Sequence, residues 1–163
     1  MSTMPASATL KRSLLACPFF MPTRKFEEAA WLHPSRLPLG TGWRGHCCAP
    51  GHEGEEPSEM QLTEGCNLGY AVSCTRMPGE RASDAVRFSV ARDFGSEISL
   101  CFVTEHAHLP VTNGLLTYDV GSRTWVCVHP DVRIQKMADC YMDSYLSRRM
   151  QNGANPSRAQ AND

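Results

Sequence analysis

From Asp84 onward, apolar and polar positions follow regular periods. In "DAVRFSVARDFGSEISLCFV", Val86, Phe88 and Val90 alternate with Arg87, Ser89 and Ala91, the two-residue period of a strand with one buried face. After the turn signal "DFGS", Ile98, Leu100 and Phe102 resume the alternation, which predicts an antiparallel hairpin. "GLLTYDVGSRTWVCV" repeats the arrangement around "DVGS". Together these runs predict an antiparallel sheet of three or four strands. In "HPDVRIQKMADCYMDSYLSRRM" the period changes, with Ile134, Met137, Ala138, Tyr141 and Tyr145 at helical spacing. Pro130 or Asp131 marks the start of this amphipathic helix, and Arg148 and Arg149 complement the dipole of its last turn. A helix lying across a small antiparallel sheet makes the expected fold class α+β.

The segment from Cys17 to about Pro78 keeps neither period. Glycine and proline punctuate it, as in "HPSRLPLGTGWRGHCCAPGHEGEEP", and a loop run of this length inside a compact domain usually carries function. One short helix is expected across "TRKFEEAAWL", capped by Thr23, with Phe26, Ala30 and Trp31 on one face and an end before Pro34. Trp31, Leu32, Leu37, Leu39, Trp43, Leu68, Tyr70 and Val72 are too many apolar residues for a solvated tail. They are also too irregularly spaced for a layered core, so a bound group is expected to organise this half. The chain thus divides into a flexible N-terminus (1–16), a loop-rich cysteine module (17–80), a sheet-and-helix unit (81–149) and a polar, disordered tail (150–163).

Charge adds little. Lys and Arg number 16 against 17 Asp and Glu, so no excess points to nucleic acid, a membrane surface or a polyanionic substrate. "KRSLLACP" has the outline of a lipoprotein signal, but Leu14, Leu15 and Ala16 fall far short of the roughly 7–15 apolar residues of an export segment. No stretch approaches the ~20 apolar residues that span a bilayer. The expected location is the cytoplasm, where thiols stay reduced and cysteines serve as metal ligands, catalytic thiols or core residues rather than as a disulfide framework.

The chain has eight cysteines. Cys101, Cys127 and Cys140 fall inside the predicted strands and helix and are expected to be small buried hydrophobes. Cys17, Cys47, Cys48, Cys66 and Cys74 fall in the irregular half and read as C-x29-C-x18-C-x7-C through Cys47, or C-x30-C-x17-C-x7-C through Cys48. Four thiolates complete a metal shell, suiting an iron–sulfur cluster or a structural zinc. Zinc sites draw cysteines in close C-x2–4-C pairs, which this chain lacks, whereas clusters also accept cysteines from separated loops. Pro18 follows Cys17, a common neighbour of cluster cysteines, and Phe19, Phe20 and Met21 supply apolar cover. A turn at Gly69 would bring Cys66 and Cys74 together, with Leu68, Tyr70 and Val72 as further cover. Glycines at 40, 42, 45, 51, 54, 65 and 69 permit close backbone approach.

The blocks "CPFFMP", "HPSRLPLGTGW" and "CNLGYAVSC" resemble signature blocks of small cysteine-rich bacterial proteins, over roughly the first half of the chain. That group brings no activity with it. The half is also loosely similar to small bacterial redox-sensing regulators that bind a [4Fe–4S] cluster through one cysteine far upstream of three others, near a "GxW" turn echoed here by "GTGWRG". Those regulators carry a C-x2-C pair that is absent here, so their DNA binding is not carried over. The resemblance, through its "GHC" block, favours Cys47 over Cys48.

The expectation is therefore a [4Fe–4S] protein with Cys17, Cys47, Cys66 and Cys74 as ligands, acting in electron transfer or redox sensing with a protein partner. A structural zinc module, for which "HCCAPGH" offers His46, Cys47 or Cys48 and His52, is the first alternative. The second is a thiol enzyme drawing on Glu105, His106, His108 or His129. No phosphate loop or dinucleotide fingerprint is present.

Overall fold

The computed structural model describes residues 15–27, 31, 33–68 and 74–154. Two antiparallel sheets and a long C-terminal helix make up the fold, which is α+β as expected. Strand β1 (Phe20–Lys25) pairs with β2 (Trp43–Cys47); among the described residues a 3-10 turn, Pro34–Arg36, lies between them. A short helix α1 (Glu59–Gln61) continues into a wider π turn, Leu62–Cys66. Strands β3 (Ala85–Asp93), β4 (Glu97–His106), β5 (Leu109–Asp119) and β6 (Thr124–Cys127) form a four-stranded meander in chain order. Helix α2 (Val132–Ala154) packs on β1 and β3.

The meander follows the sequence alternation. Val86 and Phe88 of β3 and Ile98 and Leu100 of β4 are buried, and Leu116 of β5 stands opposite Leu100. Between β4 and β5 the chain reverses through Ala107 and His108, both in the left-handed region at φ 50° and 64°, as a two-residue hairpin turn requires. The helix buries Ile134, Met137, Ala138, Cys140 and Met142 against this face, each large apolar side chain contributing about 1.5–3 kcal/mol. It runs five residues beyond the expected end at 149, through Ala154. The rest of the expected tail, 155–163, lies outside the described residues.

The expected helix across "TRKFEEAAWL" is not formed over its first residues. Thr23 sits in β1 rather than at a helix cap, and its Oγ1 donates to the Arg44 carbonyl at 3.4 Å. Residues 28–30 and 32 lie outside the described residues. The strand wins because Phe20 and Pro22 point inward on a two-residue period, and because β2 offers a partner with room for close approach. A Cβ on Gly45 would lie 2.0 Å from the Met21 carbonyl oxygen. The register shifts between Pro22 and Arg24, the kind of irregularity at which a strand tolerates proline.

The two halves share one core. Phe20, Leu39, Trp43 and Leu62 belong to the same buried cluster as Val86, Leu100 and Met137, so apolar residues without a legible period still pack into the common interior. Two hydrogen bonds fasten the 37–40 loop to α2: Ser144 Oγ donates to the Leu39 carbonyl at 3.0 Å and Arg148 Nη1 to the Gly40 carbonyl at 2.9 Å. Upstream, Ala16 bridges Val86 through paired backbone hydrogen bonds of 2.7 and 2.9 Å. The residue before Cys17 is thereby held on the edge of the four-stranded sheet. No helix among the described residues is long and apolar enough to cross a membrane.

Candidate metal centre

Four cysteines from four separate segments line one cavity of about 270 Å³. Cys17 comes from the turn entering β1, Cys47 from the end of β2, Cys66 from the end of the π turn and Cys74 from the segment that follows. A water molecule takes up about 30 Å³ of liquid volume, so the space is several times larger than a single ion or water requires. Phe19, Phe20, Ala49, Pro57 and Met77 contribute apolar wall, and Met60, Glu64 and Thr75, all exposed, form the rim.

Local structure explains each placement. The N–H of Cys17 donates to the Cys66 carbonyl at 3.4 Å, which joins the first and third cysteine segments directly. Cys47 closes a loop with Gly54 and Glu55 through two backbone bonds, Cys47 N–H to the Glu55 carbonyl and Gly54 N–H to the Cys47 carbonyl, both 2.8 Å. Ser58 begins α1 with a reciprocal cap, accepting from the Gln61 N–H while the Gln61 side chain accepts from its own N–H. The following π turn, closed by Asn67 N–H to the Leu62 carbonyl at 3.1 Å, swings Cys66 toward Cys17. Single π turns recur at functional sites. The side chain of Asn67 then bonds the backbone of Trp43 on both sides, fixing the turn to β2.

The four cysteines are each partly buried. Burial, with smaller contributions from Cys47 and Cys74, pushes the Cys17 thiol up to about 12, against hydrogen bonds from the Phe19 and Phe20 backbone. Burial also pushes Cys66 up to about 12, reinforced by Cys17, Cys74 and Cys47 and opposed by Arg76. A reactive nucleophile requires a lowered value, the opposite of the direction at Cys17 and Cys66. What the site offers is a set of soft donors, with backbone N–H groups directed at sulfur: Phe19 and Phe20 at Cys17, and Ala49 N–H at Cys47 Sγ, 3.4 Å away. Such bonds are among the features that set the potential of iron–sulfur centres.

Cys48 does not line the cavity. Its N–H donates to the Phe19 carbonyl at 2.7 Å, and burial raises its thiol while Arg133 opposes the shift. Of the three cysteines expected in the core, Cys140 is buried, Cys101 is partly buried and Cys127 is exposed. Cys127 departs from expectation because it lies on a short edge strand, β6, where a buried neighbour is available on one side only. Of the expected apolar cover, Phe19 and Phe20 line the cavity, whereas Met21 does not and Leu68 is exposed. Gly69, Tyr70 and Val72 lie outside the described residues.

Among the described residues no group of three or more His, Cys, Asp or Glu side chains is placed to hold one metal ion. Cys17, Cys47, Cys66 and Cys74 share the lining of one cavity. His52 pairs with Glu55 at 2.9 Å. Glu105 pairs with Arg87 at 3.0 Å, His106 lies 3.4 Å from Asp84, and His129 accepts from the Asp131 N–H at 2.9 Å while its ring meets Phe102 edge-on. None of these groups lines the cysteine cavity. Asn67 and Arg76, which shape the site, carry no motif by which sequence could single them out.

No protein-family model, curated protein or solved structure matches the chain.

Proposed function

We propose that the protein is a redox protein that holds a [4Fe–4S] cluster through Cys17, Cys47, Cys66 and Cys74. The observation that carries this reading is the meeting of these four cysteines around one cavity, with Cys48 outside it. Three features of the chain support it further. The cavity exceeds the needs of a single ion, backbone N–H groups face two of the sulfurs, and aromatic side chains close one wall. Zinc, which typically draws cysteines in close C-x2–4-C pairs, draws less support from four cysteines on four separate segments.

Bound there, the cluster would supply one-electron redox chemistry at the potential its surroundings set. The chain's own contribution is to bind and shield it. Cys17, Cys47, Cys66 and Cys74 give the thiolates, Phe19 and Phe20 exclude water on one side, and the rim at Met60, Glu64 and Thr75 leaves an edge open toward a protein partner. Redox sensing is the second reading, favoured by the bridge between Ala16 and Val86. Release of Cys17 would free the segment held on the edge of the four-stranded sheet.

Serine substitution tests the ligand set. Cys17→Ser, Cys47→Ser, Cys66→Ser and Cys74→Ser are each expected to abolish iron uptake on anaerobic reconstitution, whereas Cys48→Ser and Cys101→Ser retain it. Equal loss in all six variants would contradict the assignment.

A further inference from the structure

The cavity also carries a fixed positive charge. Arg76 lines it, and only 18% of the Arg76 side chain is exposed. Its Nη2 lies 3.3 Å from Glu55 Oε2, and the same carboxylate oxygen lies 2.9 Å from His52 Nδ1. Its Nη1, by contrast, is buried and finds no hydrogen-bond acceptor among the described residues. A guanidinium cannot shed its charge and offers donors only, so an enclosed nitrogen without an acceptor marks a place where an anionic group belongs. The four cysteines, which would hold a metal as thiolates, line the same cavity.

We infer that Arg76 is a positioning residue for the cluster proposed above, its guanidinium steadied by Glu55 on one side and directed at the thiolate-bound group on the other. The inference rests on that cluster reading and adds a consequence to it. Reduction adds a negative charge to a centre already anionic through its thiolates. A nearby cation therefore stabilises the reduced form more than the oxidised one, and burial limits screening by water and salt. Arg76 raises the midpoint potential and makes the centre easier to reduce. Glu55 also bears on Arg76, and its partial neutralisation of the guanidinium limits the size of the effect.

The test uses the full chain, reconstituted anaerobically with ferrous iron and sulfide and titrated against redox mediators. Arg76→Gln is expected to load iron as the wild type does and to shift the reduction equilibrium roughly tenfold toward the oxidised form, a lowering of about 59 mV for one electron. Arg76→Lys, which keeps the charge, is expected to retain most of the wild-type potential. A fully loaded Arg76→Gln protein with an unchanged potential overturns the inference and leaves the cluster reading standing. If Arg76→Gln takes up no cluster, Arg76→Lys decides. Uptake there supports a role for the charge, and no uptake in a folded Arg76→Lys protein overturns it. A wild type that takes up no iron overturns the cluster reading, and the inference falls with it.

Discussion

Asn67 forms two hydrogen bonds with the backbone of Trp43: the Trp43 N–H donates to Asn67 Oδ1 at 2.9 Å, and Asn67 Nδ2 donates to the Trp43 carbonyl at 2.8 Å. The side-chain amide takes the place of a neighbouring strand beside β2. Because Asn67 follows Cys66 and Trp43 opens the strand that ends in Cys47, the pair sets two of the four cysteine segments against one another.

Asn67 is 1% exposed, so Asn67→Ala leaves a backbone N–H and a carbonyl buried without partners. At about 1–3 kcal/mol for each such group, the expected destabilisation is about 2–6 kcal/mol, read as a lowered urea midpoint with unchanged slope. A loss below about 0.5 kcal/mol, within the range of an ordinary surface change, would show that the amide is not a structural tie.

Asp84 makes acid stability testable. Burial pushes its carboxyl upward, but the Ala107 N–H at 2.7 Å and the Arg81 guanidinium outweigh burial and hold the carboxyl below the ordinary carboxylate range. A depressed folded value means that the contribution is present above the unfolded value of about 3.9 and is lost as pH falls through the folded value. Asp84→Asn should therefore lower the melting temperature near neutral pH and flatten its fall below about pH 4. Parallel melting curves for the two proteins from pH 7 downward would contradict this assignment.

Thiol labelling separates the cysteines outside the cavity. Cys140 is 3% exposed and burial pushes its thiol up to about 12, while Cys127 is exposed. Brief alkylation of the native protein at neutral pH, followed by peptide mass analysis, is expected to modify Cys127 early and Cys140 only on unfolding. Early labelling of Cys140 would place α2 away from the sheet.

The meander and α2 were legible because alternation and helical spacing persist across whole elements, from Val86 to Phe102 and from Ile134 to Tyr145. The β1–β2 pair was not. Its six- and five-residue strands contain a proline and a glycine, and the strands meet only because Gly45 lacks the atom that would strike the Met21 carbonyl. Alternation also could not tell how deeply Cys101 and Cys127 are buried, since a period of two marks a face without saying what covers it. The grouping of five cysteines in the irregular half was visible in the sequence. The exclusion of Cys48 depends on the direction of the chain leaving β2, and the roles of Asn67 and Arg76 depend on contacts made across the fold.

The most direct test of the central claim is the metal and sulfide content of the wild-type chain, purified anaerobically and measured alongside its visible spectrum. A [4Fe–4S] centre on the four cysteines predicts about four irons and four inorganic sulfides per chain and a brown protein with broad visible absorbance. A colourless protein carrying one zinc, or no metal at all, would contradict it.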